Sequence, residues 1–141
     1  MRKKESAKDL VPIKEFPKSE FDCRCGNSDC DYGYDDMDKG FLNRLFTARK
    51  MSKVPFSLTS AVRCPRHPHA KKNPTSSHNA DRVLGKLCMA VDIAAPTSNH
   101  VHEIVQALDD AGFVRKGWNQ DLKFLHVDDD DSKPQGVFFA Y

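Results

Sequence analysis

The sequence lacks any long apolar run. No stretch approaches the roughly 20 apolar residues that a membrane-spanning helix needs. The charged start, MRKKESAKDL, has no apolar segment behind it, although a secretory signal would carry one. We therefore expect a protein that is made in the cytoplasm without a signal peptide and that does not enter the membrane.

A strong charge of one sign is also absent. Lys and Arg number 22 against 20 Asp and Glu, which leaves a net charge of +2. The most basic stretch, RCPRHPHAKK, lacks the interleaved aromatic residues that stack on bases, so nucleic acid is not an expected partner. A length of 141 residues fits one compact domain. We expect a monomer with a flexible N-terminal arm at residues 1–15 and a single domain at residues 16–141.

Cysteines are few and odd in number, and without an export signal reduced thiols are the default. The five are Cys23, Cys25, Cys30, Cys64 and Cys88. The first three lie in FDCRCGNSDC, whose C-x-C-x4-C spacing differs from the C-x2-C knuckle of common zinc modules. This spacing favours buried thiols or local pairing over a second, structural metal site.

Hydrophobic periodicity predicts an α+β fold. Apolar residues recur at helical spacing in 37–51 and 99–111; Ser98 or Asn99 can cap the second helix, and Gly112 stands where it should end. Alternating apolar residues predict strands at 54–62, 87–95, 113–116, 123–128 and 136–141. This order predicts a mostly antiparallel sheet with helices packed on one side. The segment between the first two strands is expected to be a long loop, which is usually functional or disordered.

Two of the predicted strands carry a polar residue inside an apolar run. Asp92 lies between Val91 and Ile93, where a carboxylate is costly to bury unless it is paired or bound to a metal. A strand face open to water would remove that cost. His126 lies in KFLHVD, and a third candidate, His78, ends the long loop. Two His and one Asp are sufficient for a catalytic zinc site, which takes three protein ligands and leaves a position for water.

The runs SAVRCPRH, TSSH, AVDI and FLHVD together resemble the D-Ala-D-Ala carboxypeptidase and hedgehog-like group of zinc peptidases. They are most similar to the small phage and bacterial peptidoglycan peptidases of that group. The resemblance implies that Zn²⁺ is bound by His78, Asp92 and His126. It also implies that Arg63 and Ser76 contact substrate. The implied activity is hydrolysis of the peptidoglycan stem peptide, as a carboxypeptidase or as an endolysin-type endopeptidase.

This chain departs from the family pattern at two places. The spacing of 14 residues between His78 and Asp92 is longer than the family's usual spacing. The family often has an acid a few residues before the last His, where this chain has Lys123. We expect Asp121 to be the general base and Asp128 to orient a ligand, with Asp128 as the alternative base.

The expected partner is the stem peptide of bacterial cell wall. Together with the missing export signal, the resemblance implies a phage-encoded enzyme that acts on the wall after release at lysis or as part of the virion. The alternative is a catalytically weak or inactive zinc-binding recognition module with the same fold. The departure at the general-base position favours this alternative.

Overall fold

A computed structural model describes residues 3–141, which form an α+β fold around one five-stranded sheet. The helices are α1 (Lys39–Met51), α2 (Pro68–Lys72) and α3 (Ser98–Asp110). The strands are β1 (Leu58–Ser60), β2 (Ala90–Ala94), β3 (Arg115–Asn119), β4 (Phe124–Asp128) and β5 (Val137–Ala140). Three short 3-10 turns precede α1, at Ala7–Asp9, Lys18–Phe21 and Tyr34–Asp36. None of the described helices is long and apolar enough to cross a membrane.

The strands follow the order β1-β2-β4-β3-β5 across the sheet. Three of the pairings are antiparallel, and β3 with β5 is parallel. The predicted antiparallel sheet is therefore confirmed in its main part. In the β2–β4 pair, Asp92 lies directly opposite His126. This register brings two predicted ligands side by side on strands that both have a partner on each edge.

One apolar core joins the sheet to α1 and α3. Val91 and Ile93 of β2 and Leu125 and Val127 of β4 are fully buried in it. The helices contribute Phe41, Leu42, Leu45, Phe46, Ala48, Ile104, Ala107 and Leu108. Because successive side chains in a strand point to opposite faces, Asp92 and His126 project from the face away from this core.

The start of α3 differs by one residue from the sequence prediction. Thr97, rather than Ser98 or Asn99, caps the helix, and its hydroxyl accepts a hydrogen bond from the His100 N–H at 3.2 Å. A threonine in extended conformation suits this position because its oxygen is then free to reach the first turn. Gly112 follows the helix with φ of 91°, the left-handed conformation expected after a helix end.

The first strand is shorter than the predicted 54–62. Only Leu58–Ser60 pairs with β2, and the register shifts within it. Upstream, the Ser52 hydroxyl donates to the Val54 carbonyl and accepts from the Val54 N–H, at 2.8 and 3.1 Å. These local bonds hold residues 52–54 in a turn instead of a strand.

The described part of the predicted arm contacts the domain. Ala7 is fully buried, and its N–H donates to the Met37 carbonyl at 3.0 Å. The Glu5 carbonyl accepts from the Lys39 N–H at 2.7 Å. The structure therefore places residues 5–9 against the start of α1, and the flexibility of this segment in solution stays a prediction. Residues 1 and 2 of the predicted arm lie outside the described residues.

The predicted long loop between β1 and β2 contains secondary structure of its own. The helix α2 begins after His67, whose Nδ1 accepts a hydrogen bond from the His69 N–H at 3.1 Å. Pro68 occupies the first helical position, where a missing N–H costs nothing. The proline-rich composition thus reflects a helix start as well as loop structure.

A short hairpin accounts for much of the long spacing between His78 and Asp92. Asp81 and Lys86 exchange two backbone hydrogen bonds of 2.9 Å. Arg82 binds Asp31 and Asp36, whereas the tip that follows it protrudes into solvent, and Val83 is 93% exposed. We call residues 81–86 the 81–86 hairpin. It lengthens the chain between the two predicted ligands without separating them in space.

Candidate metal centre

The three predicted zinc ligands meet on the sheet face opposite the core. His78, Asp92 and His126 are all buried. Asp92 Oδ1 lies 3.0 Å from His78 Nε2 and 3.0 Å from His126 Nδ1. One ligand atom from each residue lies within 4.8 Å of the other two, so the group could hold a metal ion. We call these three residues the His-Asp-His group.

Backbone pairing fixes the position of His78, which lies outside the sheet. Its carbonyl accepts from the Arg63 N–H at 3.0 Å, and the Arg63 carbonyl accepts from the Ala80 N–H at 2.9 Å. The Ser76 hydroxyl accepts from the His78 N–H at 3.2 Å. Arg63, which was predicted to contact substrate, therefore also holds His78 through backbone hydrogen bonds. Ser76 supports His78 through its side-chain hydroxyl.

Hydrogen bonds on the far side of each ring determine the tautomers. His78 Nδ1 lies 2.7 Å from the Ala61 carbonyl, which can only accept, so Nδ1 carries the hydrogen. His126 Nε2 lies 2.7 Å from Asp128 Oδ2, a carboxylate that likewise accepts. In the neutral rings, His78 Nε2 and His126 Nδ1 then present lone pairs toward Asp92. Three acceptor atoms converge on one point, an arrangement that needs a proton or a cation between them.

The donor set and its dimensions fit zinc. Two imidazole nitrogens and one carboxylate oxygen form a three-ligand set that leaves a fourth position for water. Zinc bonds of about 2.0 Å imply a separation of roughly 3.3 Å between tetrahedral ligand atoms. The observed separations of 3.0 Å are close to this value. A small outward movement of the side chains would therefore admit the ion.

The electrostatics of the metal-free group favour positive charge at the same point. Burial lowers the pKa of His78, although Asp92 opposes the shift. Burial also acts against charge on His126, but hydrogen bonds to Asp128 and Asp92 outweigh it and raise the pKa of that ring. Burial would raise the pKa of Asp92, yet His78 and His126 hold it below its ordinary value. The carboxylates that favour a proton on His126 also favour a cation beside it.

Asp128 holds His126 in place. Its Oδ2 accepts from His126 Nε2 at 2.7 Å and from Arg115 Nε at 3.0 Å. Its Oδ1 accepts from the Asp130 N–H at 3.1 Å, and the side chain is almost fully buried. Both oxygens are thus occupied. This arrangement suits the predicted orienting role and leaves little capacity for Asp128 to act as a base.

Asp121, the residue favoured as general base, lies elsewhere. It is exposed on the turn between β3 and β4 and does not line the cleft at the His-Asp-His group. The left-handed backbone of Lys123, with φ of 55°, ends this turn just before β4 begins. A general base must lie within hydrogen-bond reach of the attacking water. The position of Asp121 therefore gives no support to that role.

A cleft of about 860 Å³ opens onto the His-Asp-His group. Four cationic side chains line it, Arg24, Arg63, Arg115 and Lys133, whereas Asp92 is the single carboxylate among the described lining residues. Ser76 also lines this cleft. Asp128 already pairs with Arg115, and Asp130 lies 3.8 Å from Lys133. The positive charge that favours anionic ligands therefore rests mainly on Arg24 and Arg63.

Arg63 is positioned to contact a bound ligand. Its Nη2 lies 3.7 Å from Asp92 Oδ2, longer than a hydrogen bond, and its Nε has no hydrogen-bond partner among the described residues. A buried guanidinium N–H without an acceptor is costly. A carboxylate or carbonyl of a ligand is the kind of group that the guanidinium fork would bind.

Phe139 forms a wall of the cleft beside His126. The two ring centroids are 5.8 Å apart, and the Arg115 guanidinium lies 5.0 Å from the Phe139 centroid. Gly117, paired with both His126 and Phe139 in the sheet, leaves room for this ring, because a Cβ there would overlap it. Sequence reasoning identified neither Arg115 nor Phe139 as site residues. Arg115 and Phe139 reach the site because β3 pairs with both β4 and β5. The periodicity of a single strand does not predict this pairing.

Comparison of the chain with models of protein families, with curated proteins and with solved structures finds no match.

Proposed function

We propose that this protein is a zinc-dependent peptidase that hydrolyses peptide bonds in the peptidoglycan stem peptide. The observation that carries the proposal is the convergence of two imidazole lone pairs and one carboxylate at the base of an open cleft. The motif resemblance to the D-Ala-D-Ala carboxypeptidase and hedgehog-like group supports the same activity and a fold of that group. A zinc ion bound at this point would activate a water molecule and polarise the scissile carbonyl.

The side chains of the chain itself have separate tasks in this proposal. His78, Asp92 and His126 bind the ion. Asp128 fixes the tautomer of His126 and holds the ring in place, as partners of metal-bound histidines commonly do. Arg63 binds a carboxylate or carbonyl oxygen of the substrate.

The charge of the cleft supports a stem peptide as the substrate class. Stem peptides carry free carboxylates, and Arg24, Arg63, Arg115 and Lys133 line the cleft. Ser76 can hydrogen-bond the peptide through the same hydroxyl that accepts from His78. We place the action at the cell wall, with a monomeric, phage-encoded protein that reaches it at lysis or on the virion.

A second candidate is a zinc-binding recognition module that binds the wall without cutting it. The observation favouring it is that Asp92, itself in the His-Asp-His group, is the single carboxylate among the described lining residues. Hydrolysis needs a group that accepts a proton from the attacking water. A module that only binds needs none.

Incubation with stem peptide and with intact peptidoglycan separates the two candidates, with products identified by mass spectrometry. We expect cleavage by the zinc-loaded protein, loss of cleavage with a chelator and recovery when zinc is restored. His126→Ala should lose the zinc of the His-Asp-His group and the activity. His102→Ala, an exposed histidine on α3, is the matched control and should keep both. A protein that holds zinc and binds peptidoglycan but cuts neither substrate would establish the recognition module. Equal zinc content in wild type and His126→Ala would exclude the metal site at the His-Asp-His group.

A further inference from the structure

Four of the five cysteines meet at one place outside the His-Asp-His group. Cys23, Cys25, Cys30 and Cys64 each direct a sulfur atom to within 4.8 Å of the other three. The first three are half-buried and Cys64 is buried. We call these four residues the cysteine cluster. The C-x-C-x4-C spacing of the first three cysteines favoured buried thiols or local pairing. Cys64, 41 residues beyond Cys23, supplies a fourth donor.

A tight loop brings the first three cysteines together. The Cys23 N–H donates to the Tyr32 carbonyl at 3.0 Å, which closes the loop at its base. The Cys30 N–H donates to the Asn27 carbonyl at 3.1 Å, which turns the chain back within it. Gly26 adopts φ of 84° next to Cys25, a left-handed conformation that glycine adopts without strain. The local sequence thus builds a turn with its thiols on one side.

Two nitrogen donors point at sulfur atoms of the cysteine cluster. The Cys64 N–H lies 3.3 Å from Cys23 Sγ, and Asn27 Nδ2 lies 3.3 Å from Cys25 Sγ. The Arg66 guanidinium is close enough to interact electrostatically with Cys25 and Cys64. Hydrogen-bond donors of this kind commonly hold the ligands of a metal site in place.

The dimensions fit one tetrahedral ion. Zinc–sulfur bonds of about 2.3 Å imply a separation of roughly 3.8 Å between sulfur atoms. The sulfurs lie within 4.8 Å of one another, so a small contraction around an ion would reach this geometry. Two disulfides would require only that the sulfur atoms meet in pairs. Here each sulfur atom is a neighbour of all three others, which is the arrangement that a single ion needs. Four thiolates form a closed site with no position left for water, which is typical of structural zinc.

We propose that the cysteine cluster binds a second, structural zinc ion. This ion would join the loop at residues 23–30 to the segment that follows β1. Cys25 and Arg63, which precedes Cys64, both line the cleft of the His-Asp-His group. The second ion would therefore fix one wall of the cleft, and its binding does not depend on whether the first site is catalytic.

Metal content of purified variants, prepared under reducing conditions, tests this proposal. We expect about two zinc ions per chain in the wild type and about one in Cys25→Ser, Cys30→Ser and His126→Ala. Cys88→Ala removes the cysteine that lies in the apolar core and should keep both ions. Cobalt substitution assigns each ion, because only thiolate ligands give strong sulfur-to-cobalt charge-transfer bands. These bands should persist in His126→Ala and disappear in Cys30→Ser.

The two sites can fail independently. Wild-type protein that shows no thiolate–cobalt bands and as little zinc as Cys30→Ser would overturn the second site, whatever the result for peptidase activity. If a serine variant does not fold, alkylation of the thiols in the wild-type protein tests the second site instead. Bound zinc should protect four thiols until a chelator is added, and four thiols that react equally with and without the chelator would also refute the proposal.

Discussion

Replacing Asp128 by asparagine is the most direct test of the metal site proposed for the His-Asp-His group. Asparagine keeps the size of the side chain and removes its charge. In the structure, Asp128 Oδ2 accepts from both His126 Nε2 and Arg115 Nε. Its Oδ1 accepts a third bond from the Asp130 N–H. An amide can accept at only one of its two ends, so at least one of these three bonds is lost, and the preference for the His126 tautomer weakens.

The expected magnitude follows from the role of such partners. Loss of a group that orients a metal-bound histidine typically lowers metal affinity by about 10- to 100-fold, which corresponds to roughly 1.4–2.7 kcal/mol. Competition against a chromophoric chelator measures zinc affinity over this range. Asp131→Asn is the matched control, because Asp131 lies exposed in the same acidic run and should bind zinc as the wild type does.

The variant must also remain folded, because Asp128 is buried beside Arg115. Thermal unfolding of the metal-free protein separates a loss of affinity from a loss of structure. If folded Asp128→Asn binds zinc as tightly as the wild type, His126 does not depend on this carboxylate, and the assignment of the tautomer and ligand atom is refuted.

Three further predictions address other parts of the site. Asp121→Asn should keep the wild-type rate and pH profile in the peptide assay, because its exposed turn does not line the cleft; a loss of about 100-fold would restore Asp121 as the base. Gly117→Ala should displace the Phe139 ring beside His126 and lower kcat/KM by about 10- to 100-fold. The double variant with Phe139→Ala should recover part of that loss, and a purely additive result would contradict the overlap. Without metal, the lowered pKa of Asp92 stabilises the folded protein above pH about 4. This stabilisation is lost as the pH falls through the pKa that Asp92 has in the folded state. The difference in urea-unfolding free energy between wild type and Asp92→Asn should therefore shrink from pH about 5 to about 3, and a constant difference would contradict the shift.

The sequence predicted the strand residues of the site because alternation in a strand is a local property. Val91 and Ile93 mark one face of β2 as buried, so Asp92 had to lie on the other. By the same alternation, His126 and Asp128 lie on one face of β4. Pairing is not local, however. The placement of Asp92 opposite His126 depends on β2 lying next to β4, and no pattern within either segment specifies it.

Two predictions at the sites gain no support from the structure, for physical reasons of the same kind. Asp121 is close to His126 in sequence, but a turn with a left-handed Lys123 separates it from β4, and periodicity does not reveal such a turn at a non-glycine residue. The cysteine cluster was disfavoured because its fourth member follows β1, far along the chain from Cys30. The capping residue of α3 was wrong by one position, since neighbouring Thr97 and Ser98 are both capable caps.

The 81–86 hairpin has a consequence for engineering and for recognising related chains. Its base is closed by the Asp81–Lys86 pair, so we expect residues added at its exposed tip to change the count between His78 and Asp92 while both keep their positions. A fluorophore or affinity peptide inserted after Val83, which is 93% exposed, would test this expectation and would report the wall attachment proposed above. For the same reason, a sequence pattern that fixes the spacing between His78 and Asp92 would miss related chains with a shorter or longer hairpin. A pattern based on β2 and β4 does not depend on that spacing.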